Sequence, residues 1–303
     1  MGLSSFLSAM PVRFGCMALA MSLIASCAQP TAAVPPVSVR SPRLHLASVA
    51  RWLCYYGDNR GVLTLPGYSL MFLDGDTLGP VSHQDKAGRL CLAYLSLGEV
   101  DHFRAYWKDV QDKSWVLHKN PDWPEGRLVD PRSAEWRELI VKREAVRLKA
   151  MGYDGFLLDT LDTADTLMAK NRLKYAGAGE AMVRIVAELR EAFPDAVIVA
   201  NGGLSLMPKL APLVDGMMYE GCRSTYDFSS KKYRDLTSKE IAWLDPRLAA
   251  IRKQGLPVFA LDYVDPANAA HAGEIADTLR KAGYLPFVSV LHLNTYPGEP
   301  RKP

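Results

Sequence analysis

Eight apolar runs of strand length, spread between residues 51 and 294, constrain this chain more than any other feature. They are RWLCYYG (51–57), YSLMFLDGD (68–76), RLCLAYLSLGE (89–99), DGFLLDT (154–160), AVIVANGG (196–203), VDGMMYEG (214–221), LPVFALDYVD (256–265) and YLPFVSVLHLN (284–294). Near-continuous apolar runs, without strict polar alternation, indicate strands covered on both faces, as in a parallel sheet. Helical periodicity fills the later gaps. DPRSAEWRELIVKREAVRLKAMG offers Ser133 as an N-cap and Gly152 as a stop, and GEAMVRIVAELREAFP, DPRLAAIRKQG and GEIADTLRKAG repeat the pattern. Strands mostly followed by helices over about 250 residues predict a single (β/α)8 TIM barrel. A doubly wound open sheet is the rival. No Gly-rich phosphate or dinucleotide loop follows any strand, which removes the usual reason to prefer it.

The N-terminus reads differently. Arg13 is the sole charge before the 13-residue apolar run FGCMALAMSLIAS, which suits the core of a secretory signal and is short for a membrane span. The run ends in Ile24-Ala25-Ser26-Cys27, which resembles a bacterial lipobox; an ordinary signal cut near Thr31–Ala33 is the alternative. The lipobox reading makes Cys27 the acylated mature N-terminus and tethers the protein to the cell envelope by lipid alone, on the periplasmic or outer-membrane face. AQPTAAVPPVSVRSP, with four prolines, reads as a stiff linker. The expected division is therefore a signal peptide over 1–26, anchor and linker over 27–50, and a single (β/α)8 barrel domain over 51–303. Cys54, Cys91 and Cys222 remain, an odd number, and are expected to be buried free thiols. A net charge of +3 with no basic run argues against nucleic acid as a partner.

In a barrel the active site lies at the C-terminal ends of the strands. There the chain places Asp58, Asp74, Asp76, Ser96, Glu99, Asp159, Asp162, Asn201, Glu220, Asp262, Asp265, His292 and Asn294. A rim so rich in carboxylates can bind a metal through oxygen, perform acid–base chemistry or simply be solvated. The six histidines are scattered and form no His-x-His or His-Glu-x-x-His, so no metal is expected; an all-oxygen Mg²⁺ or Ca²⁺ site is the open alternative, with no specific spacing behind it. There is no Gly-x-Ser-x-Gly elbow for a serine nucleophile. Glycoside hydrolysis needs two carboxyl groups about one bond, one of them protonated at working pH. Asp159 and Glu220 suit that need, because each ends an apolar run, GFLLD and GMMYE. Tyr55, Tyr56, Tyr94, Trp107, Trp115, Trp123, Tyr219, Tyr226, Tyr263 and Tyr296 fall at or beyond strand ends, and aromatic faces stack on sugar rings.

LCLAYLSLGEVDHFRAYW, NPDWPEGRLVDPRSAEWRELIVKR, MGYDGFLLDTLDT, VIVANGG and DGMMYEG, in this order, resemble the endo-α-1,4-polygalactosaminidases of glycoside hydrolase family 114. The likeness runs from about Arg51 to Asn294. It implies a (β/α)8 barrel that cuts α-1,4-linked galactosamine or N-acetylgalactosamine polymers without a cofactor. The chain is expected to act as a monomer, with an amino-sugar exopolysaccharide of a biofilm as its partner. By that likeness Asp159 is the nucleophile or its equivalent and Glu220 the general acid/base. Tyr56, Asp58, Glu99, Arg132, Asn201, Tyr219, Asp262 and Tyr263 are candidates for lining the substrate cleft. A non-catalytic polysaccharide-binding lipoprotein is the alternative reading.

Overall fold

The computed structural model describes residues 46 and 48–297; the signal segment, Cys27 and nearly all of the linker lie outside them. Eight strands form one parallel sheet in chain order: β1 (Trp52–Tyr55), β2 (Leu70–Leu73), β3 (Leu90–Ser96), β4 (Gly155–Asp159), β5 (Val197–Asn201), β6 (Gly216–Glu220), β7 (Val258–Tyr263) and β8 (Leu285–Ser289). Each lies within one of the eight apolar runs. The sheet curls into a barrel, and its first and last strands meet without a ladder. Single hydrogen bonds cross that seam: the Trp52 indole donates to the Leu285 carbonyl (3.0 Å), and the Tyr56 amide to the Leu293 carbonyl (2.7 Å). Pro286, which has no N–H to give, is tolerated in β8 because β8 is laddered on one side only.

The barrel interior is packed rather than hollow. Trp52 of β1 meets Phe72 of β2, Phe259 of β7 and Phe287 of β8, each at 5.4 Å between ring centroids. Phe72 and Phe259 also touch, at 5.6 Å, although β1 and β8 separate their strands, so the contact spans the interior. Leu46 and Val49 are buried with this core, and the packed region therefore begins earlier than the expected boundary at residue 51. Cys54, Cys91 and Cys222 are free and buried, as expected. Among the described residues no helix is long and apolar enough to cross a membrane.

Helices cover the later connections. After β3, Ala134–Glu138 runs through a π-helical segment, Leu139–Glu144, into Ala145–Ala150. Ser133 caps it by accepting from the Trp136 amide, and Gly152 (φ +94°) turns the chain out of it. Ala178–Ala192 follows β4, Ser238–Lys253 follows β6 and Ala269–Lys281 follows β7. The β6–β7 helix starts seven residues before the Asp245-Pro246 pair that resembles a cap and first-turn proline. A capping box at Thr237 and Glu240 sets the true start, and Pro246 is carried inside. The β5–β6 connection has only the single turn Met207–Leu210.

Two additions on the C-terminal side of the barrel have no clear trace in the sequence pattern. A three-stranded antiparallel sheet (Glu99–Asp101, Val116–Lys119, Gly126–Val129) follows β3, and a hairpin (Ser224–Asp227, Lys232–Asp235) follows β6. Their strands are three or four residues long and mostly half-exposed or exposed, so they lack the apolar runs that mark the barrel.

Candidate active site

Three neighbouring strands end in the same way. Asp159 closes β4, Asn201 closes β5 and Glu220 closes β6, and in each case the next residue is left-handed: Thr160 (φ +61°), Gly202 (φ +70°) and Gly221 (φ +72°). A positive φ turns the chain sharply and leaves the preceding side chain at the strand tip. Glycine adopts it freely, whereas a β-branched threonine is strained there. Thr160 is held in place by its hydroxyl, which meets the Gly98 amide (2.7 Å), the Ser96 hydroxyl (2.9 Å) and the Asp159 carbonyl (2.6 Å). Its own N–H bonds to the Asp159 carboxylate.

The Asn201 amide joins the two acids. Its Nδ2 donates to Asp159 Oδ1 at 2.7 Å and to Glu220 Oε1 at 2.6 Å, so those two oxygens are no more than 5.3 Å apart. Tyr94 hydrogen-bonds Asp159 from the β3 side, and the Tyr263 hydroxyl donates a very short bond to Glu220 Oε2 from the β7 side. Every one of these direct partners is neutral.

Both carboxyls are pushed up from their ordinary range. Burial is the main cause for Asp159, opposed by the Thr160 N–H, Tyr94, Asn201 and the more distant charge of Arg104. Burial also leads for Glu220, the charge of Asp159 adds to it, and Tyr263 and Asn201 oppose it; the result is about 7. The Glu220 side chain still meets solvent in the cleft, so its burial means a crowded protein wall rather than full enclosure. The electrostatics are asymmetric: more donors favour an ionised Asp159, and that ion in turn favours a protonated Glu220.

The surrounding cleft has a volume of about 590 Å³, within the usual range for a ligand site. Tyr56, Glu99 and Tyr263 line it as expected, as do Tyr94 and Trp123 among the aromatic candidates. Glu99 is raised to about 7, chiefly by burial, while the Asn120 amide donates to both its oxygens (3.0 and 3.1 Å). Asp74, Asp101, Asp122 and Glu125 add further carboxylates; among the described residues Arg104 is the single Lys or Arg in the wall, and it is occupied by Asp74, Asp76 and Asp101.

Four expected cleft residues lie elsewhere. Arg132 makes a paired contact with Asp130 (2.7 and 2.9 Å) and donates to the Lys174 and Ala176 carbonyls, clamping two loops together. Asp58 is exposed and does not line the cleft. Tyr219 precedes Glu220 on β6 and faces the other way, into a separate groove of about 750 Å³ bounded by Trp243 and Thr225, as alternation along a strand requires. Asp262 is fully buried: its Oδ1 accepts from the Arg223 and Ser224 amides (both 2.6 Å), which anchors the chain just beyond Glu220. Trp107, Trp115, Tyr55, Tyr226 and Tyr296 also stay out of the cleft wall; Trp115, for example, packs on Trp136 at 5.6 Å.

Sequence reasoning missed Asp101, Arg104, Asn120, Asp122, Glu125 and Phe228 as cleft residues. All but Phe228 come from the β3 insertion or its approach, and for Asn120, Asp122 and Glu125 the polar, Gly- and Pro-containing stretch HKNPDWPEG was the available signal. Among the described residues no group of three or more His, Cys, Asp and Glu side chains is arranged to hold a metal ion.

The sequence profile of glycoside-hydrolase family GH114 matches residues 32–299. An uncharacterised protein of Deinococcus radiodurans is 31% identical over 288 residues, covering 87% of this chain and 89% of its own. Among solved structures, the glycoside hydrolase domain of PelA from Pseudomonas aeruginosa is similar at TM-score 0.72 and 28% identity, covering 82% of this chain and 97% of the domain. Aspergillus fumigatus Ega3, solved in complex with galactosamine, shares the fold at TM-score 0.60 and 19% identity, over 81% of this chain and 92% of its own.

Proposed function

This chain belongs to glycoside hydrolase family GH114, and from that premise we propose that it is a retaining, endo-acting hydrolase of α-1,4-linked galactosamine polymers, free or partly N-acetylated. The single observation that carries the mechanism is the shared Asn201 amide, which limits the nearest Asp159 and Glu220 oxygens to 5.3 Å. Two carboxyl oxygens bridged by one amide nitrogen leave little room for a water between acid and base, which inverting enzymes seat across about 6.5–9.5 Å, and so favour a double displacement. Asp159, the better-stabilised anion, attacks the anomeric carbon. Glu220 gives its proton to the departing glycosidic oxygen. Glu220, now ionised, then takes a proton from water as that water attacks the glycosyl–Asp159 ester and releases the sugar.

The substrate class rests on the charge of the cleft. Its wall holds many carboxylates and no free Lys or Arg among the described residues, so it attracts a polymer of ammonium-bearing sugars and repels an acidic one. Incubation of the purified protein with α-1,4-polygalactosamine, followed by mass spectrometry of oligosaccharides and proton NMR of the first reducing ends, tests both parts. The expected result is short oligosaccharides whose new ends are first α. First-formed β ends would exclude retention, and an intact polymer would exclude the substrate. Complete N-acetylation of the polymer should slow cleavage, most clearly at low salt.

Acylation at Cys27 would hold this hydrolase at the cell envelope. Cys27→Ser should move it from the membrane fraction to the soluble fraction of the producing cell, and unchanged fractionation would exclude the lipid tether.

A further inference from the structure

The mouth of the cleft is crossed by aromatic side chains. Trp123, from the loop that joins the last two strands of the β3 insertion, meets Phe228 in the turn of the β6 hairpin with ring centroids 5.4 Å apart and planes at 71°. It also meets His292, three residues past β8, at 6.0 Å and 77°. The strand order shows what these contacts do. β4 and β5 separate β3 from β6 on one side, and β1 and β2 separate β3 from β8 on the other. A side chain carried by the β3 insertion that touches the loops of both β6 and β8 therefore spans the mouth. It divides the mouth into one opening above β4–β5 and another above β1–β2.

The cavity continues beneath the crossing. Its wall includes Tyr56, Asp74 and Thr77 from the β1–β2 side and Asp159 and Thr160 from the β4 side, together with Trp123, Phe228 and His292. A single cavity lined on both sides of these bridging rings fits a short passage with two ends. The cover is also light. Edge-to-face ring pairs contribute about 0.5–1.5 kcal/mol each, and Trp123 remains 38% exposed, so the loops can part and rejoin on the timescale of loop motion.

We propose that Trp123, Phe228 and His292 form a clasp that keeps the polysaccharide threaded between successive cuts, which makes the hydrolase processive. The inference rests on the reading of the protein as a glycosidase of a polymer. An internal stretch of chain enters when the clasp opens. After hydrolysis one fragment leaves by the nearer opening, while the other stays enclosed and advances for the next cut. Enclosure raises the local concentration of the retained end above that of free polymer, so recutting outruns release.

The test counts cuts per encounter. Wild-type protein, Trp123→Ala and Phe228→Ala are each incubated with excess α-1,4-polygalactosamine to low conversion, and reducing ends on short soluble products are divided by those on the residual polymer. This ratio does not depend on how fast any variant turns over, and thermal midpoints within a few degrees of wild type show that the variants are folded. The wild type should release short oligosaccharides while most chains keep their full length. Trp123→Ala should lower the ratio about fivefold or more, shortening all chains together, and Phe228→Ala should lower it less. An equal ratio in all three proteins overturns the clasp, as does a single-cut pattern in the wild type; both leave the glycosidase reading intact. No new reducing ends with the wild type would overturn that reading itself.

Discussion

Two groups of acids share the barrel rim and are treated in opposite ways. Around Arg104, Asp74, Asp76 and Asp101 are held by a buried guanidinium at 2.9–3.4 Å, and Arg147 secures Asp76 from outside at 2.6 Å. A few strands away Asp159 and Glu220 are bonded directly only by an amide, two phenols and a backbone N–H. The Arg104 cation beside the first group opposes the burial that still raises Asp101. Neutral donors orient a carboxylate without fixing its charge, so burial can still lift its proton affinity into the working pH range. The first arrangement builds a wall and the second leaves a proton free to move.

Breaking the second group should give the largest effect. Asp159→Asn and Glu220→Gln preserve shape and hydrogen-bonding capacity, and each should lower kcat on the polymer by about 10³-fold or more while leaving the denaturation midpoint nearly unchanged. Wild-type turnover in either variant would remove that residue from the mechanism. Breaking the first group should instead reach stability. Arg104→Met leaves buried carboxylates without their cation and should cost about 3–5 kcal/mol in urea denaturation; a loss under 1 kcal/mol would mean that the cluster is solvated.

Asn201→Ala sharpens the comparison, because the Asn201 bonds hold both acids down. Without them burial is opposed by fewer donors and both pKa values rise. Activity of the wild type should decline as pH passes about 7, where Glu220 loses the proton it must donate. In Asn201→Ala both limbs of the kcat/KM profile should move to higher pH, with a peak about 10-fold lower. An unmoved profile would show that Asn201 only packs.

The smallest effect concerns Asp262, whose buried Oδ2 has no hydrogen-bond partner among the described residues and whose carboxyl is raised to about 6, mainly by burial. Glu99 is raised to about 7. Folded acids with raised pKa values hold protons that the unfolded chain has released, so the contribution of these two groups to stability is greatest below the ordinary carboxyl range and is lost as pH rises through about 4 to 7. Asp262→Asn should flatten the lower part of that fall, near pH 4–6, by about 1–2 kcal/mol in pH-dependent denaturation. An unchanged slope would place the titration elsewhere.

The barrel was legible because burial on both faces writes a strand as a block of apolar letters, and each of the eight blocks became a strand. Asp159 and Glu220 were legible for a related reason, since a charge that ends such a block stands out. Arg132, Asp58, Tyr219 and Asp262 show the limit of that reasoning. A position near a strand end says that a side chain is close to the rim, but strand parity, burial and local partners decide where it points. Tyr219 lies one residue before Glu220 and opens onto another groove. The β3 insertion and the β6 hairpin escaped for the converse reason: short strands that face water on one side leave little hydrophobic pattern to read.

The unladdered join between β1 and β8 has a mechanical consequence. A cylinder laced by backbone bonds at every strand pair but one will part along that line when heated; among the described residues an indole, one amide, the packed rings around Trp52 and Phe287 and the Tyr55–Tyr296 ring pair at 5.3 Å resist it there. Amide protons of Trp52–Tyr55 that face the join should exchange with deuterium before those of β4 and β5. A circularly permuted chain with new ends elsewhere and a short bridge across this line should melt at a higher temperature than the natural one.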